Sequence, residues 1–288
     1  MSSKISCLAK PLPELGLSFL SAPDIAEFLD IWLSNELLDG GAAEIFSAYY
    51  KSYEKSFSPR MRQLYAGQLR EAENIVKNYT SATILEVGCG LGTESLWLAL
   101  KGADVRAIDV RKDRIGTAIA RQRVLETAIG RPVACKFSCR SFLELNDAET
   151  FDLIWMEQAF HHLEPRREVV QKTTKLLKPG GYLVISEANA LNPLLQLELF
   201  IRRGIPRVEM LQGPNGTWHP YGVERITSAM ILARTFECAG VRRIGVRHYR
   251  MFPNKPMFDW LASMEEFLAQ NALAPLLTHF NYVGQKMA

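Results

Sequence analysis

The eight residues that most constrain this chain are Glu86-Val87-Gly88-Cys89-Gly90-Leu91-Gly92-Thr93. The apolar run Ile84-Leu85-Glu86-Val87 leads into them and a helical pattern over 93–101 follows, so the glycines stand where a strand turns into a helix. Glycine there removes side chains, so the backbone can turn tightly and approach a ligand closely. Asp109 closes the next apolar run about twenty residues on, where a carboxylate can accept hydrogen bonds from both hydroxyls of a ribose.

Around that turn the period of apolar residues predicts alternating elements. Strands are expected over 84–87, 105–110, 133–137, 151–156 and 182–186, with helices over 93–101, 115–128 and 166–177. Gly102 stops the first of these helices, and Lys178-Pro179-Gly180-Gly181 stops the third. Strands separated by helices of about ten residues or more imply βαβ crossovers and a parallel sheet. The chain before them is helical in pattern: Ile25, Phe28, Leu29, Trp32 and Leu33 form one stripe, Asp39-Gly40-Gly41 punctuates it, and a second run spans 59–78. Tyr49, Tyr50 and Tyr53 form an aromatic cluster that would serve as a lid over a ligand or as helix packing. After Glu187 we expect a helix over 194–203 and a Gly- and Pro-rich loop over 204–221. A helix over 224–239, a strand over 241–249, a helix over 257–270 and a last strand over 280–285 complete the chain.

Composition excludes several classes. Of 288 residues, 48% are hydrophobic and 23% charged, which is globular rather than disordered, and a net charge of +3 implies no nucleic-acid partner. Cys7, Cys89, Cys135, Cys139 and Cys238 are odd in number and form no CxxC pair, so no metal site is expected, and free thiols in a reducing cytoplasm are the simpler reading. Lys4 and Lys10 precede a short apolar stretch, but Pro11, Pro13 and Glu14 break up what a signal peptide would need. No run approaches the roughly twenty apolar residues of a membrane span, so a cytoplasmic protein is expected.

A dinucleotide and S-adenosylmethionine both fit a strand, a glycine turn and a distal acid. The dinucleotide fingerprint needs glycine at its sixth position, where this chain has Thr93. Glu86 also stands before the first glycine, a poor neighbour for a pyrophosphate and a good one for a sulfonium ligand carrying an amino group. S-adenosylmethionine is favoured.

With those residues in view, the run 84–93 resembles motif I of the class I S-adenosylmethionine-dependent methyltransferases of small molecules. Ala107-Ile108-Asp109-Val110 resembles their second motif, and Phe151-Asp152-Leu153-Ile154 with His161-His162-Leu163 their fourth-strand segment. Leu176-Leu177-Lys178-Pro179-Gly180-Gly181-Tyr182-Leu183 is similar to the turn into their fifth strand. The resemblance implies an α/β, Rossmann-like sheet of seven strands, mostly parallel with the last antiparallel. A helical N-terminal cap (1–80) would precede a cofactor-binding domain (81–288), with helical insertions after strands 5 and 6 (190–223 and 253–278) on the substrate side. It implies that Glu86, Gly88 and Gly90 lie along the methionine part of the cofactor and that Asp109 binds the ribose. The backbone of 156–158 would meet the cofactor's amino end. Val110, Ser141 and Met156 complete the expected cofactor-binding set. One stretch departs from the family: Phe137-Ser138-Cys139-Arg140-Ser141-Phe142 lacks the usual acid for adenine, and Ser141 or a backbone carbonyl would substitute.

Methyl transfer needs a general base only where the acceptor stays protonated at neutral pH. The candidates are Glu157, His161 and His219, with His162 behind them, each weighed against a structural role. Seven arginines (Arg202, Arg203, Arg207, Arg242, Arg243, Arg247 and Arg250) would bind an acceptor's phosphate or carboxylate or simply form a solvated face. Leu194, Leu195, Leu197, Leu199 and Phe200 would roof an apolar pocket or support a homodimer. Met156-Glu157-Gln158-Ala159-Phe160 replaces the Asp/Asn-Pro-Pro-aromatic motif of nucleic-acid amino methylation, no Pro-Cys nucleophile is present, and Glu187-Ala188-Asn189 fits a metal-dependent catechol enzyme poorly. A small-molecule or lipid-like acceptor, methylated at O, N or C with S-adenosylhomocysteine as product, is the expectation. The alternatives are a silent cofactor-binding scaffold and aminopropyl transfer.

Overall fold

Ile84, Leu85 and Val87 are buried although they point to both faces of their strand, as they must where helices cover a parallel sheet on both sides. The computed structural model describes residues 12–54, 57–213 and 216–287. Lys4, Cys7, Lys10 and Pro11 lie outside them. Strands β1 (Thr83–Val87), β2 (Asp104–Asp109), β3 (Cys135–Cys139), β4 (Phe151–Glu157) and β5 (Leu177–Ala188) pair in parallel. The hairpin strands β6 (Arg207–Gln212) and β7 (Trp218–Val223) stand apart from this sheet. With β8 (Val241–Tyr249) and β9 (His279–Lys286) the main sheet has seven strands in the order β3-β2-β1-β4-β5-β9-β8. β9 runs antiparallel to both its neighbours, so the last strand in sequence is inserted between β5 and β8. This is the Rossmann-like class I sheet that the sequence predicts.

Two cores flank the sheet. On one face α1 (Leu12–Ser21), α2 (Ile25–Ser34), α3 (Gly40–Glu54) and α4 (Pro59–Val76) join α5 (Thr93–Leu100) and α6 (Lys112–Ile129). Phe19, Phe28 and Trp32 of the first helices pack in one cluster with Trp97, Ala107 and Trp155. On the other face α7 (Arg166–Leu176) contributes Val169 and Leu176. There they meet Leu85, Ile108, Ile154 and Ile185, together with Phe236 from a later helix. Local signals begin these helices: Asp24 accepts the Glu27 N–H at 2.9 Å to cap α2, and Ser58 with Pro59 opens α4.

The structure departs from the periodicity where burial supplies no pattern. The expected loop over 204–221 contains the β6–β7 hairpin; β6 is exposed at every position, so no alternation marks it. The expected helix over 224–239 begins only at α9 (Ala229–Glu237), because Glu224 has φ +49° and Ser228 supplies the cap. The helix over 257–270 divides into a 3-10 turn over 256–261 and α10 (Ala262–Ala269). Gly40 starts α3 instead of interrupting a helix. β5 already pairs at Leu177, and its register shifts around the Lys178-Pro179-Gly180-Gly181 turn. The helix after β5, α8 (Pro193–Arg203), buries no residue against the described part of the chain, and Leu194, Leu197 and Phe200 are exposed. Cys89, Cys135, Cys139 and Cys238 are free thiols. Among the described residues no helix is long and apolar enough to cross a membrane.

Candidate active site

The glycine turn is stitched to β2. The Gly88 and Cys89 N–H groups both donate to the Ile108 carbonyl, at 2.8 and 3.0 Å. The Gly90 N–H donates to Asp109 Oδ2 at 3.0 Å, and the Arg111 N–H donates to Oδ1 at 2.8 Å. Asp109 is thus held across the turn with acceptor capacity left, since a carboxylate has about four acceptor positions. Burial pushes its pKa up, against the Arg111 amide and the Arg114 guanidinium, which lies 3.9 Å away. Gly90 has φ +53°, and a Cβ there would meet the Tyr49 hydroxyl of α3 at 2.5 Å. Tyr49 thus lies against the glycine turn, under the Arg114 guanidinium at 5.3 Å, and Tyr50 packs behind it with its hydroxyl 2.5 Å from Thr93 Oγ1.

Beneath the turn Glu86 is buried and accepts the Ser95 hydroxyl. Burial first, and Glu94 second, push its pKa well up. Glu94 accepts the Tyr65 hydroxyl at 2.7 Å and is itself raised by burial. Nothing in the sequence marks Glu94 beyond an acid in the first turn of α5. These residues fit S-adenosylmethionine: a side-chain-free turn, an acid with spare acceptors facing it, and buried carboxyls beside the place of a cationic ligand.

The remaining expected cofactor residues differ in how much of each is free. Val110 is exposed just past β2. Ser141 is engaged in a capping box, its hydroxyl accepting the Glu144 N–H and its own N–H donating to Glu144 Oε2 at 3.1 Å. The Met156 side chain is wholly buried in the α7 core, so only its backbone can face a ligand.

The base candidates separate. β4 lies beside β1 with Val87 opposite Met156, which brings Glu157 to the level of the glycine turn. Burial lifts the Glu157 carboxyl to about 8, with Glu94 adding to the shift and a Gln68 hydrogen bond opposing it. His161 follows in a short 3-10 turn, and its Nδ1 lies 2.7 Å from Glu187 Oε2 at the end of β5. Glu187 Oε1 also accepts the His161 N–H at 3.1 Å, which leaves Nε2 as the free ring nitrogen. Burial lowers the pKa of His161, but Glu187 outweighs it and the net shift is upward. His162 is spent on the Gly222 carbonyl at 2.8 Å and stacks on Tyr221; burial and His161 bring it down to about 4. His219 sits in the hairpin, with Nε2 2.7 Å from Thr217 Oγ1 and 3.4 Å from Glu144 Oε1. None of these contacts ties it to Glu157 or His161. The partner missed by sequence reasoning is Glu187, which the periodicity leaves just past the expected strand over 182–186 and which enters the sequence reading only as a poor match to a metal-dependent catechol enzyme.

Beyond the β4 end lies a cavity of about 310 Å³, walled by Tyr53, Tyr65, Glu157, Gln158, Tyr249 and Arg250. Gln158 and Arg250 hold φ +46° and +61°, so two non-glycine residues in the left-handed region face one space. The other arginines of the 202–250 stretch are solvated or paired: Arg202 with Glu198, Arg203 with Glu224, Arg207 with Glu209, Arg225 with Glu164 and Arg247 with Glu71, while Arg234 is exposed on α9 and Arg242 and Arg243 on β8.

Fold and site together define a Rossmann-like protein built for S-adenosylmethionine. Residues 85–183 match the family model described as a methyltransferase domain. Relatives include the methyltransferase GfsG of Streptomyces halstedii, 32% identical over 36% of this chain and 37% of that one. A ubiquinone biosynthesis O-methyltransferase of Xanthomonas axonopodis pv. citri is 30% identical over 48% of this chain and 54% of its own. The match thus spans about half or less of these relatives. Among solved structures, a S-adenosylmethionine-dependent methyltransferase from Clostridium acetobutylicum superposes with a TM-score of 0.53 over 84% of this chain and 98% of that one, at 12% identity. The CcbJ methyltransferase from Streptomyces caelestis gives a TM-score of 0.51 over 76% and 89%, at 14% identity. At these identities the likeness is one of fold.

Proposed function

We propose that this protein moves the methyl group of S-adenosylmethionine to a small-molecule or lipid-like acceptor, at an O, N or C atom, leaving S-adenosylhomocysteine. The observation that carries the reading is the cavity adjoining the β4 end, with Glu157 on its wall beside the glycine turn. A silent scaffold has no need of such a space. When bound, the cofactor supplies a methyl carbon activated by its sulfonium, whose C–S electron pair returns to sulfur as the acceptor's lone pair forms the new bond. Asp109 holds the ribose, Glu86, Gly88 and Gly90 lie along the methionine part, and the backbone of 156–158 meets the amino end. Val110 and Ser141 border the adenine. Alignment and exclusion of water by Tyr49 and the cavity walls are the chain's main contribution, which can reach roughly 7–11 kcal/mol.

A protonated acceptor gives its proton to His161 Nε2, with Glu187 holding the ring from behind and stabilising the imidazolium. Glu157, lifted to about 8, is mostly protonated at neutral pH and serves there as a hydrogen-bond donor instead. We read the protein as cytoplasmic and without a nucleic-acid partner, and the exposed apolar face of α8 as a homodimer contact.

Calorimetric titration with S-adenosylmethionine, S-adenosylhomocysteine and NADH tests the cofactor: micromolar binding of the first two and none of NADH is expected, and the reverse overturns the reading. Asp109→Ala is expected to weaken S-adenosylhomocysteine more than tenfold, two charge-assisted hydrogen bonds being lost. Unchanged affinity in a folded variant would remove Asp109 from the site.

A further inference from the structure

We propose that Arg250 anchors a carboxylate of the acceptor, so that the substrate is a small aromatic monocarboxylic acid carrying a hydroxyl or amino group. The inference rests on the methyl-transfer reading above and narrows its substrate class.

Arg250 differs from the other eight arginines of the 202–250 stretch in lining the cavity. No hydrogen bond or ion pair ties its guanidinium to another described residue, and its charged neighbours are Arg60 and Glu265. Those two are spent on each other, with Arg60 Nε and Nη2 donating to Glu265 at 2.8 and 2.6 Å. Burial pulls the Arg250 pKa down.

The backbone holds Arg250 in place at a cost. A side-chain-bearing residue in the left-handed region is disfavoured and persists only where its surroundings enforce it. Here the Thr278 N–H and hydroxyl both donate to the Arg250 carbonyl, at 2.8 and 2.7 Å. Glu265 Oε1 accepts the N–H groups of Met251 and Phe252 just after it, both at 2.8 Å. A network on each side thus aims one unpaired guanidinium into the cavity.

The occupant follows from charge and shape. A guanidinium and a carboxylate form two parallel hydrogen bonds. Among the described residues on the cavity wall Arg250 is the guanidinium without an ion pair, which balances one carboxylate, whereas a phosphate of about −1.5 to −2 would keep part of its charge uncompensated in the cavity. Tyr53, Tyr65 and Tyr249 offer ring walls, and a cavity of about 310 Å³ suits a single-ring acid. The Asn254 carboxamide oxygen, also on the wall, is buried without a partner and calls for a donor on the ligand.

The test titrates benzoate, 3-hydroxybenzoate and phenylacetate, their amides and inorganic phosphate into the protein, both free and loaded with S-adenosylhomocysteine. At least one acid is expected to bind tenfold or more tightly than its amide and than phosphate. Arg250→Asn, which tolerates the left-handed backbone, should abolish that preference, and Arg250→Lys should keep part of it. S-adenosylhomocysteine affinity should stay within about twofold in both variants. Acids that bind no better than their amides, or a preference that survives Arg250→Asn, overturn the proposal. So does a loss of S-adenosylhomocysteine affinity in the variants, which would assign Arg250 to the cofactor's own carboxylate. Failure of S-adenosylhomocysteine to bind the wild-type protein counts against the methyl-transfer reading instead, and the free-protein titrations still decide the carboxylate site.

Discussion

Single residues here do work that their neighbours in sequence do not announce. Asp109 and the glycines were legible because a ribose acid and a tight turn belong to one local pattern. Glu187 and Glu94 were not, and Arg250 was not separable from the arginines around it, because each acquires its meaning from side chains remote in sequence: His161, Tyr65 and the cavity walls. Glu157 lies between these cases, since the chain order marks the end of β4 but not the burial of its carboxyl. That burial has a consequence for stability. With a folded pKa of about 8 against an unfolded value of about 4.3, the folded state keeps a proton that the unfolded state releases. Stability therefore falls as pH rises from about 4.3 to about 8 and levels off above, as far as this group is concerned. Glu157→Gln should flatten part of that decline in urea titrations at pH 5, 7 and 9. The rest persists, because Glu86 and Glu94 shift in the same direction. An unaltered slope would mean that the Glu157 carboxyl is solvated.

Among the elements, α3 and the β1–α5 turn act as one unit. Gly90→Ala places a methyl against the Tyr49 hydroxyl and forces a side-chain-bearing residue to φ +53°. The expected cost is about 1–2 kcal/mol of stability from the backbone alone, together with a loss of S-adenosylhomocysteine binding. Adding Tyr49→Phe removes the closest contact and should recover part of the binding; purely additive effects would show that the two elements are uncoupled. The elements legible in the sequence were those with a buried stripe, β1 to β5 and the helices between them. The β6–β7 hairpin was not, since its first strand is exposed throughout and backbone pairing alone defines it. The α9 start was misplaced for a backbone reason, the left-handed Glu224, which side-chain periodicity does not record.

In the whole molecule, the N-terminal helices share the sheet's core. Trp32 packs on Phe19 and Phe28, and the buried Arg121 guanidinium of α6 lies 4.5 Å from its ring. The same arginine donates to the Leu91 carbonyl and Thr93 Oγ1 at 2.8 and 2.7 Å, so the helical cap and the cofactor turn meet at one side chain. Trp32→Ala should cost about 3–5 kcal/mol. Denaturant transitions followed by tryptophan fluorescence and by circular dichroism should still coincide; an early fluorescence phase would mean that the cap unfolds on its own. By itself the sequence determined the parallel βαβ frame, the glycine turn and the acid that closes the second strand, because those depend on local period and on residues a few positions apart. Only the tertiary structure decided which residues line one cavity. The insertion of β9 between β5 and β8 carries the β8 end, and with it Arg250, to the same cavity as Glu157, and a contact between residues so far apart in sequence is set by sheet order, which no local pattern of apolar residues encodes.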